Sequence, residues 1–143
     1  SDLYINWCQQ KRIKFIIPFS FIFAYMSSAF GVLIDSKCKK QNNSRNIKKL
    51  KEKFFIVSKI HNLKEAIIAK NYADIIFISP VFPTLSFPEK KPLTNHNFIS
   101  LCFSFEKKVI FALGGINKKK FANIRNTNLY GFGSISSFKE KDE

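Results

Sequence analysis

Short apolar runs alternate with longer amphipathic stretches along nearly the whole of this 143-residue chain, and that alternation decides the fold class before any motif is read. Strand-like segments begin near residues 13, 31, 54, 74, 109 and 130. Runs such as Ile75-Ile76-Phe77-Ile78 and Val109-Ile110-Phe111-Ala112-Leu113 contain no polar alternation. Strands covered on both faces have that pattern. Between the runs lie segments with helix-start signals. Ser20 suits the cap of a helix reaching about residue 29, and Asn117 that of one reaching about residue 126. Asn62 with Glu65 three residues on has the form of a capping box. Repeated βα units at such spacings imply a parallel sheet with crossover helices. Periodicity alone leaves an open doubly wound sheet and part of a barrel as alternatives. No linker interrupts the pattern, so residues 1–143 read as a single domain.

The helical segments also suggest what packs. Leu63, Ala66 and Ile67 make one apolar face, and Phe98, Leu101, Cys102 and Phe105 make another. Trp7 reads as a core residue, and Tyr25 with Met26 as a packed helix face. Hydrophobic residues are 45% of the chain, 17 residues being Phe, which excludes a disordered protein.

The net charge of +14 raises the question of nucleic acid. Arginine occurs only at Arg12, Arg45 and Arg125, and lysines are spread over the whole sequence rather than along one face. That argues against a nucleic-acid partner and for a positive field suited to an anionic small molecule. Cys8, Cys38 and Cys102 are odd in number and widely spaced. They fit neither a disulfide framework nor a zinc site, so no metal is assigned from them, and a reducing, cytoplasmic setting is expected. Residues 15–34 carry no charge until Asp35 and are flanked by Lys11, Arg12 and Lys14. A membrane anchor is therefore a competing reading, since about 20 apolar residues span a bilayer. Pro18, Ser20, Ser27, Ser28 and Gly31 divide the run, which favours strand, helix and strand, and no membrane partner.

Ligands of parallel β/α folds bind beyond the C-terminal strand ends. Gly114-Gly115 follows directly after one apolar strand. The pair either lets a ligand approach the backbone or simply makes a tight turn needing positive φ. Gly131-Phe132-Gly133-Ser134-Ile135-Ser136 follows the next strand position. As GxGxxS it is a poor dinucleotide fingerprint, because no acidic residue follows at the required distance. It serves better as the second half of a phosphate cup. His61 stands after the third strand run, and His96 near a helix start reads as a solvated residue. Lys90 and Lys91 read as a solvated pair in the long segment 79–94.

Four motifs together resemble one family. Ser79-Pro80-Val81-Phe82-Pro83-Thr84-Leu85-Ser86 is similar to the SPVFPTxS loop of thiamine phosphate synthases and TenI-type thiazole tautomerases. Ile60-His61-Asn62-Leu63-Lys64-Glu65-Ala66 resembles their fifth βα junction, Ala112-Leu113-Gly114-Gly115-Ile116 their seventh strand end, and residues 131–137 their eighth. The resemblance implies a (β/α)8 TIM-type barrel, here incomplete at the N-terminus, with about six βα units corresponding to strands three to eight. If the chain is whole, six strands cannot close that barrel, and the open edge would need a partner, with homo-oligomerisation one outcome, or would aggregate. Beginning at Ser1 rather than at Met, the chain reads as a fragment or a processed form.

The resemblance further implies a thiazole phosphate as ligand, held by Gly114, Gly115, Ile135 and Ser136. Ser58, Lys59, Thr84 and Ser86 would line the pocket, with Ser58 and Lys59 alternatives for one family position. His61 takes the place of the tautomerase acid/base. Synthase chemistry, which joins a thiazole phosphate to a pyrimidine diphosphate, would require Mg²⁺. The family's Asn-Asp after strand three is Pro18-Phe19 here, its metal-binding Asp falls near Cys38 with Asp35 as an unaligned substitute, and the Lys of its Thr-rich loop is Phe87. Tautomerase-type proton transfer suits the remaining residues better. A non-catalytic phosphate-binding relic is a further alternative.

Overall fold

A computed structural model describes residues 2–35, 44–84, 88–105, 107–124 and 127–134. After a first helix, α1 (Asp2–Gln10), strands and helices alternate. They are β1 (Ile16–Pro18), α2 (Phe21–Ser27), β2 (Gly31–Leu33), α3 (Ser44–Lys51), β3 (Phe55–Ile60) and α4 (Leu63–Lys70). Then follow β4 (Ile75–Ile78), α5 (Asn95–Phe103), β5 (Val109–Leu113), α6 (Lys118–Ile124) and β6 (Gly131–Gly133).

All six strands are parallel and lie side by side in chain order. This order separates the two architectures. A doubly wound sheet reverses direction at a switch point. Here every crossover advances the same way, and right-handed crossovers then put every intervening helix on one face. That is barrel winding, with the sheet left open between β1 and β6. Residues 15–34 form two strands and the short α2 rather than one span, and among the described residues no helix is long and apolar enough to cross a membrane.

The caps anticipated from sequence form. Ser20 Oγ accepts from the Phe23 amide at 3.3 Å, Asn62 Oδ1 from Glu65 at 2.9 Å and Asn117 Oδ1 from Lys120 at 2.9 Å. Thr94 caps α5 by accepting from Asn97. Helix α2 stops before residue 29 because Ser28 turns left-handed, with φ at 51°.

The core lies between helices and sheet. Ile17, Val32, Ile56, Ile60, Ile76, Ile78, Ile110 and Ala112 point toward the helices, and Phe98, Leu101, Cys102 and Phe105 meet them as anticipated. Burial pushes the Cys102 thiol up to about 11, with a bond from Thr127 pulling slightly back, so it packs as an apolar side chain. Helix α4 departs from expectation. Its buried residues are Ala66 and Ala69, while Leu63 and Ile67 are exposed. Two alanines three apart let the helix approach the sheet closely, which turns the larger side chains outward. Trp7 and Met26 are likewise 51% and 79% exposed, and Tyr25 lies at the rim, edge-on to Phe54.

On the other sheet face, register sets side chains in rows. Leu33, Val57, Ile75 and Val109 form one row, and Lys59, Phe77, Phe111 and Gly131 the next. Phe77 stacks on Phe111 at 5.2 Å, and a Cβ at Gly131 would come 3.1 Å from the Phe111 ring. Ile16 and Phe55 on this face remain 39% and 49% exposed. A closed barrel buries such positions.

At the N-terminal end of the strands Asp74 joins three elements. Its Oδ2 accepts from the Ile56 amide at 2.9 Å, and its Oδ1 lies 2.9 Å from Lys51 Nζ. Lys51 also donates to the Tyr72 carbonyl at 3.0 Å. Partial exposure weakens the ion pair, so the amide bond matters more. Asp74→Leu is expected to cost about 1–3 kcal/mol in urea unfolding, and Asp74→Asn, which keeps an acceptor, less. Equal stability of Asp74→Leu and the native chain would remove this joint from the account.

Candidate functional site

The segment after β4 folds across the tip of β5. Val81 N–H donates to the Leu113 carbonyl and Phe82 N–H to the Gly114 carbonyl, each at 3.1 Å. Leu93 N–H returns to the Pro80 carbonyl at 3.0 Å, closing the loop. The Ser79-Pro80 peptide is cis. Gly114 and Gly115 have φ of +92° and +62°. A Cβ at Gly114 would meet Pro80 at 3.0 Å, and one at Gly115 would overlap the carbonyl oxygen of Pro83 and lie 2.7 Å from that of Phe82. Both glycines thus make the tight turn that positive φ allows, and this loop approaches their backbone closely. Lys120 Nζ fastens the arrangement, donating to the Gly115 carbonyl at 2.8 Å and lying 5.0 Å over the Phe82 ring.

Strand β6 sets the second glycine-bearing tip beside the first, since Leu113 is paired with Gly133. Thr84 follows Pro83 on the loop and is half-buried. Ser86, Ile135 and Ser136 lie outside the described residues, as do Cys38 and Phe87.

The tip of β3 presents a different chemistry. Glu65 does not close the capping box on Asn62. Its Oε2 accepts instead from the His61 amide at 2.8 Å and lies 3.8 Å from His61 Nδ1. Lys90 Nζ lies 3.5 Å from His61 Nε2. An ammonium only donates, so this contact calls for the tautomer with Nε2 as acceptor and the ring proton on Nδ1, facing Glu65. Nδ1 is buried and makes no hydrogen bond. Burial is the main cause holding the His61 pKa below its ordinary 6.5; Glu65 pulls it up, and Lys90 and Lys59 push it down. The Lys59 ammonium is also lowered, by burial first and then by Lys90.

Ser58 does not join this group. It is 1% exposed, and its Oγ lies 3.1 Å from Tyr72 Oη within the helix-side core. Strand alternation puts Lys59 on the opposite face, with His61 two residues on. Of the two alternatives for that pocket position, Lys59 is the one facing away from the core. The contact of Lys90 with His61 was not legible in sequence, because it depends on how the 79–94 segment folds back. His96 is exposed in the first turn of α5.

Magnesium takes carboxylate oxygens and water in near-octahedral geometry. Among the described residues no three His, Cys, Asp or Glu side chains converge, and Asp35 is exposed just past β2.

A six-stranded parallel sheet wound in one direction, with its glycine turns, capped helices and half-buried histidine at the strand tips, defines the class of β/α-barrel domains. The profile of the thiamine monophosphate synthase family matches residues 3–138, and the chain belongs to that family. Thiamine-phosphate synthase of Clostridium botulinum strain 657 is 30% identical over 133 residues, 92% of this chain and 64% of that protein. A protein of Aquifex aeolicus is 33% identical over 98 residues, 66% of this chain and 50% of its own length. The chain thus spans about half to two thirds of these relatives. Among solved structures, thiamine phosphate pyrophosphorylase from Pyrococcus furiosus superposes with a TM-score of 0.70 at 23% identity, over 92% of this chain and 62% of that one. The fold of this chain is therefore that of the matched part of the P. furiosus structure.

Two outcomes test the geometry. Gly115→Ala is expected to destabilise the chain by about 1–3 kcal/mol from backbone strain alone, with the overlap on Pro83 adding to it; a thermal melt unchanged from native would contradict the loop packing. For His61, the folded pKa lies below the unfolded one. Its stabilising contribution is full above 6.5 and is lost as pH falls through the depressed folded value. Glu65→Gln removes the one cause that raises the pKa, so ring-proton NMR should show a still lower value; a rise would reverse the assigned balance.

Proposed function

We propose that this chain binds a thiazole phosphate across its strand tips and that His61 transfers a proton on the bound ring, in the manner of a thiazole tautomerase. The phosphate is held by main-chain amides at Gly114, Gly115, Ile135 and Ser136, with Thr84 and Ser86 at the wall. The observation carrying this reading is the placement of His61 relative to the paired glycine tips. One strand separates β3 from β5, so their tips lie about 10 Å apart. A ring-plus-phosphate ligand is of that scale.

The chemistry asks for one group that both takes and returns a proton near neutral pH. A lowered pKa keeps His61 neutral at pH 7, with Nε2 as its basic atom. A proton leaves a ring-adjacent carbon for Nε2, the bond electrons shift within the ligand, and Nε2 returns the proton to another ligand atom. Composition is unchanged and no second substrate is consumed. Synthase-type joining of a thiazole phosphate to a pyrimidine diphosphate is the second reading, favoured by the names of the C. botulinum and P. furiosus proteins. It calls for magnesium, which one or two carboxylates together with substrate phosphates can hold.

Calorimetric titration with thiazole phosphate tests the ligand. Binding is expected to the native chain and to His61→Ala, and to be lost in Ser136→Asp, which sets a carboxylate where the phosphate would lie. Gly115→Asp is unsuitable here, because the loop packing would fail with it. Turnover in His61→Ala should fall by about 10²–10⁴-fold. No binding to the native chain would reject the site; binding with turnover unaffected by the substitution would remove His61 from the chemistry.

A further inference from the structure

Among the described residues, the Nδ1 atom of His61 is a buried side-chain nitrogen that makes no hydrogen bond. A buried N–H without an acceptor costs free energy, and native structures keep few of them. Glu65 Oε2 stands 3.8 Å from it, short of bonding distance. The same oxygen is already fixed to the main chain of His61, accepting from its amide at 2.8 Å.

Glu65 is held at both ends. Its own amide donates to Asn62 Oδ1 at 2.9 Å, and its carboxylate is tied to the residue whose ring it faces. A carboxylate oxygen can accept from more than one donor, so the bond to the amide leaves room for Nδ1. A small turn of the imidazole would close the remaining gap of about 1 Å to the length of a charge-assisted bond. Charge decides when that closure is worth most, because a bond between an imidazolium and a carboxylate is about twice as strong as one between neutral groups. The other charged groups around the ring do not serve this purpose. Lys90 Nζ lies 3.5 Å from Nε2, and Lys59 precedes His61 by two residues on the same strand face. Asp35 continues the register of β2 beside Lys59 rather than beside the ring. Lys90 and Lys59 disfavour the imidazolium, and Glu65 favours it.

We propose that Glu65 is the positioning residue of His61, turning Nε2 toward the ligand and closing onto Nδ1 when the ring is protonated. The proton that Nε2 takes stays on Nε2 until it returns to the ligand. The Nδ1 proton stays on Nδ1, and none passes to Glu65. The carboxylate thus stabilises the ring at the midpoint of the transfer, when it is charged. This role deepens the proposed function and rests on that reading for the ligand; the pairing itself does not. A capping role alone would need only the bond to the amide, which a neutral side chain of the same shape also makes.

That difference supplies the test. The full chain, with its histidine rings labelled with nitrogen-15 and no ligand added, is followed by NMR through pH. In the native chain His61 should carry its proton on Nδ1 above its pKa. Below it, the Nδ1 proton should move downfield and exchange slowly, while exposed His96 shows neither effect. Glu65→Gln keeps an oxygen for the His61 amide, so the amide resonance should hardly move, but the slow downfield proton should be lost. In turnover of thiazole phosphate, Glu65→Gln should lower kcat about tenfold or more with KM little changed, as when a histidine loses its orienting carboxylate. A native His61 with its proton on Nε2, or without the slow Nδ1 proton when charged, overturns the pairing even if the variant fails to fold. So does the same Nδ1 signal in Glu65→Gln. The two proposals fail separately. A paired Nδ1 proton in a chain that binds no thiazole phosphate removes the ligand and leaves the pair. Turnover that needs His61 but is indifferent to Glu65→Gln removes the positioning role and leaves the ligand.

Discussion

The fit of residues 79–83 against Gly114 and Gly115 is the contact from which the rest of the strand-tip architecture follows. Two main-chain bonds, from Val81 to Leu113 and from Phe82 to Gly114, carry the β4–β5 ladder past the ends of both strands. Neither bond is compatible with a side chain at the glycines, because the space a Cβ needs is filled by Pro80, Phe82 and Pro83. Once this arm is fixed, the bond from Leu93 to Pro80 fixes the returning arm, and Lys90 is carried to the tip of β3. The glycines thus act on His61 from two strands away, through the loop.

The two faces of the sheet divide the labour. Sequential winding sends all crossovers one way, so the helix side acquires a continuous core of Ile, Ala and Phe. The opposite face receives shorter contacts between rows, in which Gly31, Gly131 and Gly133 leave room for neighbouring side chains. That face carries Lys59, a cation the helix-side core could not accept unpaired. The division also accounts for Ser58 on the helix side: its partner Tyr72 Oη donates on to the Ile34 carbonyl, tying β2, β3 and the α4–β4 turn together within the core.

The strands and three of the anticipated caps were legible because each is written locally, in an apolar run or in a Ser or Asn before a helix. Barrel winding was legible only through the ordered motifs and their resemblance to one family, since periodicity does not give the direction of the crossovers. The face of α4 was misread for a related reason. A helix presents its smallest residues where the sheet lies nearest, so Ala66 and Ala69 displace Leu63 and Ile67, although the latter are more hydrophobic. Helix α1 was not anticipated; Gln9 Nε2 bonds the Ser27 carbonyl at the end of α2, a contact with no local trace. For the site, motif order brought out the glycine tips and His61, whereas the Lys90–His61 contact depends on loop closure across 29 residues.

The capping arrangement at α4 bears directly on how His61 would work. In an ordinary capping box the N3 carboxylate returns to the amide of the cap residue itself. Here it returns one residue earlier, to His61, and the same oxygen faces Nδ1. The main chain of His61 is therefore held by the helix start, and the carboxylate favours the tautomer with its proton on Nδ1. That leaves the lone pair of Nε2 on the side of Lys90, away from the helix. A histidine serving only as a turn residue would gain nothing from such an orientation, since the cap is complete without the ring. In the proposed reading, Nε2 is the side on which the ligand would arrive, beside Lys90 and the strand tips.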